Sequence, residues 1–221
     1  MQAYGENNFQ ILKNFTKSLI LSFDISSGST RVGAIVYSTN STVAFKLDQY
    51  SSYNEVEEAI DTISYPGGGT YTGKALNKAA IDLYSDAVVR ENVPKVLVVI
   101  TDGVSTDAVT QPAALLNDSG VLVYVVAIGQ NVDHTQLTEI AHCETEHVFT
   151  AEFHSLGIVI NDVRGAICRG TDYSYHKMHV LSQLLTNTSL QSSGVLSVYA
   201  GRSVKHLLVS CSLVASLLNK A

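Results

Sequence analysis

One carboxylate stands out by its position. Asp102 closes the stretch VPKVLVVITDG, in which Val96 to Ile100 are five consecutive apolar residues. An unbroken β-rich run of this length suits a strand buried on both faces, as in the middle of a parallel sheet. Asp102 then sits at the strand's carboxyl end, the edge where open α/β sheets bind ligands. A strand-terminal Asp-Gly can equally just cap the segment that follows it. A second stretch, Tyr65-Pro66-Gly67-Gly68-Gly69-Thr70-Tyr71-Thr72-Gly73, is a flexible glycine-rich loop. With Lys74 it mimics a phosphate-binding loop, Gly68-x₄-Gly73-Lys74, and so raises a nucleotide hydrolase as a remote alternative. The next residue is Ala75, which offers no hydroxyl to Mg²⁺, and a Tyr-Pro turn rather than a buried strand precedes the loop. His142, Cys143, His147 and His154 are close in sequence, but no second ligand pair has finger-like spacing, so we read them as loop residues. Asp107 and the Asp118-Ser119-Gly120 turn read as solvated loop residues. No Gly-x-Ser-x-Gly elbow is present, and no carboxylate pair is placed for hydrolysis.

The elements that would position these residues alternate between strand and helix. Phe9, Leu12, Phe15, Leu19 and Ile20 recur at three- and four-residue spacing, which predicts an amphipathic helix over 6–21. Arg31 to Tyr37 reads as a buried strand, with Thr42 to Leu47 its hairpin partner. A helix is expected over 53–63, opened by Asn54 with Glu57 three residues on. Another is expected over 74–89, and a third over 108–116. Val121 to Ile128 is a second doubly buried strand. Asp133 caps a short helix, His147 to Thr150 is an edge strand, and Ser155 to Cys168 is the last helix. Such alternation implies βαβ crossovers and a mostly parallel sheet. Beyond Arg169 the periodicity fades, and a boundary is expected near Gly170, between a domain over 4–168 and an irregular tail over 169–221.

Composition narrows the class. The 221 residues are 46% hydrophobic and 15% charged, as in a globular chain. A net charge of −6 argues against nucleic acid as a partner. The apolar stretch from His206 to Leu218 is too short to span a bilayer, so no membrane insertion is expected. The opening residues have neither a basic start nor an apolar run, so no secretory signal is expected in the sequence as given. Four Asn-x-Ser/Thr sequons, at Asn14, Asn40, Asn117 and Asn187, are compatible with secretion. The three cysteines, Cys143, Cys168 and Cys211, permit at most one internal disulfide.

From about Tyr4 to Cys168 the chain resembles a von Willebrand factor type A domain, above all those of collagens, matrilins and related matrix proteins. The resemblance rests on GENNFQILKNFTKSLI, STRVGAIVYS, ISYPGGGTYTGKAL, KVLVVITDG, GVLVYVVAIG and HVFTAEFHSL, in the family's order and spacing. It implies a doubly wound α/β fold with a metal-ion-dependent adhesion site at the top edge. Such a site combines an Asp-x-Ser-x-Ser loop, a threonine of the glycine-rich loop and an aspartate after the central strand. Thr70 and Asp102 match the last two, with Gly69, Tyr71, Thr72 and Gly103 around them as candidate ligand contacts. The implied ion is Mg²⁺ or Mn²⁺, which favours hard oxygens and keeps a position for a partner's carboxylate. The implied activity is non-enzymatic adhesion to an extracellular matrix or cell-surface protein such as a collagen, outside the cell.

The family's Asp-x-Ser-x-Ser loop and the strand before it would precede Tyr4, and they are absent from the sequence. That strand would be central, between the strands at Arg31 and Val96. The expectation is therefore a truncated domain with a gap in its sheet and an incomplete metal site, which favours a metal-independent interaction domain as the alternative. Val195 to Tyr199 is the unassigned strand-like piece that could enter the gap, and we do not expect it to. Asp24-Ile25-Ser26-Ser27-Gly28 mimics the missing motif, but it follows a helix and precedes a strand, the reverse of what the motif needs; we read it as a turn. In related domains a cysteine at the place of Cys168 pairs with one before the first strand. Cys143 is the one cysteine upstream of Cys168 in this chain.

Overall fold

The fold was obtained as a computed structural model that describes residues 2–84, 90, 93–188 and 212–218. Six strands form one sheet in the order β2-β1-β6-β3-β4-β5. They are β1 (Arg31–Tyr37), β2 (Ser41–Phe45), β3 (Lys95–Thr101), β4 (Val121–Ile128), β5 (Val148–Ala151) and β6 (Ser212–Leu218). β1 and β2 pair antiparallel as the expected hairpin, and every other pairing is parallel. The helices are α1 (Gln2–Ile20), α2 (Tyr53–Thr62), α3 (Thr72–Lys78), α4 (Thr110–Asp118), α5 (His134–Ile140) and α6 (Leu156–Thr188). This is the doubly wound α/β arrangement that the alternating pattern implies.

Period-two alternation sorts the strand residues onto two cores. Val32, Ala34, Val36, Val96, Val98, Ile100, Val126 and Ile128 face the layer of α1, α2 and α6, with Phe9, Leu12, Phe15, Val56, Ile60 and Val163 against them. Ile35, Tyr37, Leu97, Val99, Val123, Val125 and Ala127 face the other way, onto Leu76 of α3, Leu116 of α4 and Leu137 of α5. Both faces of β3 are covered, which is why its sequence is continuously apolar.

The gap expected between β1 and β3 is closed. Ser212–Leu218 lies in it, parallel to both neighbours, in register from Arg31↔Ser212 to Tyr37↔Leu218 on one side and from Lys95↔Ser212 to Val99↔Ser216 on the other. Among the described residues the backbone donors and acceptors on the inner edges of β1 and β3 have no other partners within the sheet, and the largely apolar segment Ser212–Leu218 satisfies them. Val195 to Tyr199 lies outside the described residues. The central slot, expected to stay empty, is thus filled by Ser212–Leu218.

Several boundaries also move. The last helix does not stop at Cys168 but runs to Thr188. Gly170 is no terminator: a Cβ there would meet the Tyr124 hydroxyl at 2.2 Å, so glycine permits α6 to pass β4 closely. α2 is capped two residues earlier than expected, Ser52 Oγ accepting from the Glu55 amide at 3.4 Å while the Glu55 carboxylate accepts from the Ser51 amide at 3.0 Å. The helix expected over 74–89 begins at Thr72 and passes at Ala79–Leu83 into one π-type turn, beyond which 85–89 lie outside the described residues. Asp133 caps α5 as expected, accepting from the amides of Thr135 and Gln136. The segment at Asp24 to Gly28 is a turn, closed by an isolated bridge between Ile25 and Thr30.

Candidate functional site

The carboxyl ends of β1 and β3 meet the glycine-rich loop at the upper edge of the sheet. Positive φ at Gly67 (54°) and Gly68 (109°) lets this loop fold back over the β1–β2 hairpin. It is pinned there by backbone bonds, the Gly69 amide donating to Thr39 Oγ1 at 3.0 Å and the Tyr71 amide to the Ser38 carbonyl at 3.0 Å. On the other side the loop is joined to the segment after β3. The Thr106 amide donates to the Thr70 carbonyl at 2.7 Å, and the Thr72 amide to Ser105 Oγ at 3.0 Å. Thr70 and the Asp102 segment, 32 positions apart in sequence, are thereby held in one rigid frame.

Within this frame Thr70 is 1% exposed, and its Oγ1 is buried with no hydrogen-bond partner. A buried hydroxyl without a partner costs about 1–3 kcal/mol, so its retention points to a group that it meets when the site is in use. Asp102 follows β3 and is partly buried. Thr101 turns the chain beside it, its Oγ1 donating to the Gly103 carbonyl at 2.9 Å. Tyr37, fully buried at the end of β1, donates to the Ile100 carbonyl at 3.2 Å. Burial pushes its pKa far above the ordinary value, the charges of Asp102 and Asp107 push the same way, and hydrogen bonds with Thr72 and Thr101 only partly offset them. Tyr37 is therefore a neutral floor for the site at physiological pH.

Asp107 is the residue that sequence reasoning missed. It is not a solvated loop residue: its carboxylate accepts from the Gly73 amide at 2.9 Å and the Lys74 amide at 2.8 Å, capping α3 across 33 and 34 residues of sequence. Ser105 Oγ donates to the same carboxylate at 2.7 Å. The Ser105 backbone is in turn braced by α5, its amide donating to Gln136 Oε1 at 2.7 Å. The Ser-x-Asp spacing just after a buried strand was the available signal. Replacing Asp107 with alanine is expected to cost about 1–2 kcal/mol of stability, as for other lost helix caps, read as a lowered urea midpoint with unchanged slope.

The capped amides also answer the phosphate-loop mimicry. The N–H groups that would cradle a phosphate at the start of α3 are taken by Asp107. Lys74 donates to the Thr39 carbonyl at 3.2 Å, and its ammonium lies 4.3 Å from the centre of the Tyr71 ring.

Thr70 and Asp102 offer the hard-oxygen chemistry that Mg²⁺ or Mn²⁺ selects, and the orphaned Thr70 hydroxyl fits a ligand role. Among the described residues no three His, Cys, Asp or Glu side chains converge as a metal cluster. His142 and His147 come together at the opposite end of the sheet, whereas Cys143 and Cys168 are exposed free thiols. Asn14, Asn40 and Asn117 are exposed, and Asn187 lies beyond the described side chains.

Comparison with known proteins agrees with this architecture. The family model described as von Willebrand factor type A domain matches residues 2–157. The von Willebrand factor A domain-containing protein 2 of Xenopus laevis is 34% identical over 171 residues, which cover 75% of this chain and 21% of that protein. The collagen alpha-4(VI) chain of Mus musculus is 37% identical over 175 residues, covering 79% of this chain and 7% of that one. The chain thus spans only a small part of the relatives it matches. Among solved structures, proximal thread matrix protein 1 from the mussel byssus superposes with a TM-score of 0.68 at 28% identity, over 73% of this chain and 41% of that one. A further structure of that protein, described as having a zinc-occupied MIDAS motif, is 29% identical with the same TM-score. With the family model matching residues 2–157 and relatives 34–37% identical over about three quarters of its length, this chain belongs to the von Willebrand factor type A domain family.

Proposed function

We propose that this chain is a non-enzymatic adhesion module whose upper face binds an extracellular matrix or cell-surface protein, such as a collagen. The observation that carries the reading is the buried, unpartnered Thr70 hydroxyl, clamped beside the Asp102 segment at the ligand-binding edge of the sheet. Relatives named as collagen and matrilin chains support a matrix setting, and with it an extracellular location in which Asn14, Asn40, Asn117 and Asn187 are available as glycan acceptors. Gly69 and Tyr71, both partly exposed, would frame the partner's contact, with the buried Thr72 and Gly103 supporting them from behind. In the metal-dependent form, Thr70 and Asp102 would hold a divalent cation whose remaining position takes a carboxylate from the partner.

The alternative is a scaffold that binds without metal. Binding to immobilised collagen, with and without chelator, separates the two. The metal-dependent form predicts loss of binding with chelator and in Asp102→Ala; unchanged binding in Asp102→Ala would sink it. It also predicts stabilisation by Mg²⁺ of about 2.7 kcal/mol at a hundredfold excess over the dissociation constant, or about 5–10 °C in Tm for a domain of this size. The scaffold form predicts no shift.

A further inference from the structure

At the opposite end of the sheet, β5 pairs with β4 only from Val125↔Val148 onward. Among the described residues the first half of that β4 edge has no strand beside it, and two imidazoles stand there instead. His142 lies against the backbone of Val121 and His147 against that of Val123. The His147 ring also packs on Tyr124, with centroids 4.2 Å apart. His142 Nε2 and His147 Nδ1 are both buried without a hydrogen-bond partner. The rings border a cavity of about 720 Å³, together with Glu144, Glu146, Arg169 and Tyr173. The chain reaches this place through two consecutive non-glycine residues of positive φ, His142 at 57° and Cys143 at 65°. Such backbone persists only where its surroundings hold it.

Adding a proton to either ring places a charge in a buried setting, a cost that the backbone hydrogen bonds with Val121 and Val123 only partly offset. Burial lowers the pKa of both rings, and the charge of a protonated His147 lowers that of His142 further. Asp118 at the end of α4 and Glu144 favour the charged form of His142, while Glu144 and Glu146 favour that of His147. Arg169 and Tyr173 of α6 offer no acidic counterweight. His142 directly follows the α5 C-cap, Ala141, and the same helix carries Gln136, whose carboxamide braces the Ser105 loop at the upper edge.

We propose that His142 and His147 form an acid-sensitive clasp that fastens the end of α5 to the open edge of β4, so that acidification loosens α5 and, with it, the Gln136 brace on the Ser105–Asp107 loop. The sign follows from the lowered basicity. Stability is complete above the unfolded-chain value near 6.5 and falls as the pH drops through and below it, until the folded rings are themselves charged.

The test compares the full chain with the double variant His142→Gln, His147→Gln between pH 7 and pH 5. In the natural sequence the unfolded-to-folded ratio in urea should rise by at most about tenfold per pH unit for each histidine. Amide exchange at Ser105–Asp107 should quicken over the same range, and both effects should flatten in the double variant. An unchanged pH dependence in that variant overturns the clasp, and steady exchange at Ser105–Asp107 overturns its reach to the upper edge. Should the double variant not fold, NMR titration of the natural chain decides, since either ring titrating at or above the ordinary histidine range is incompatible with the proposal. None of these readouts needs a binding partner, so they stand apart from the adhesion reading.

Discussion

Removing residues 212–221 is expected to abolish cooperative unfolding. β6 is hydrogen-bonded on both sides, along the whole of β1 and most of β3. Without it, two inner strand edges lose their partners while the flanking side chains remain fully buried, as Val32, Ile35, Val98 and Val99 are. Each buried backbone group left unpaired costs about 1–3 kcal/mol. About five of them match the roughly 5–15 kcal/mol that a whole domain normally has. The expected product is a compact state that binds ANS and shows no sharp urea transition. A sharp transition in the truncated chain would show that the sheet closes without β6. Ala215→Pro, which removes one donor in mid-strand, should give a milder loss in the same direction.

Gly73→Val should have the next largest effect. A Cβ at this position would lie 2.1 Å from the Ala108 carbonyl oxygen and 3.0 Å from Asp107 Oδ2. The first obstacle is backbone, so α3 and the loop after β3 must part. Overpacking of this kind costs about 1–3 kcal/mol, and losing the Asp107 cap adds about 1 kcal/mol. A total of about 2–4 kcal/mol is expected in urea unfolding, together with loss of whatever binding the upper face supports. Gly28→Ala is the control: open space surrounds that position, and its stability should stay within about 0.5 kcal/mol of the natural sequence. Equal effects at the two positions would mean that α3 does not sit as closely on the Asp107 loop as described.

What could be read from the sequence, and what could not, divides by the range of the interactions. The buried strands at Arg31, Val96 and Val121 announce themselves because both of their faces are covered, which leaves a continuous apolar run. Asp102 is legible for the same reason, since the run ends abruptly on it. The cap on α3 is only half legible: the Ser-x-Asp spacing after β3 marks Asp107, but it reaches α3 across more than thirty residues and nothing local names that helix as its partner. The cap on α2 is local, yet Ser52 with Glu55 and Asn54 with Glu57 offer nearly the same pattern, and only the structure chooses between them. β6 is hardest of all. Serines interrupt its apolar residues, so periodicity alone left it among tail residues. Its fold partner is a slot defined by two distant strands.

That slot has a consequence for how the chain is made. β6 joins β1 across about 180 residues of sequence, so the middle of the sheet is completed only after the other five strands have been synthesised. At a typical 5–20 residues per second, the earlier strands wait on the ribosome for roughly ten seconds or more, with two sticky edges facing each other across an empty place. Such edges invite pairing with any other extended chain. A nascent chain of this design depends on being shielded until its final strand emerges, and its yield should be unusually sensitive to chaperone supply and to the speed of translation.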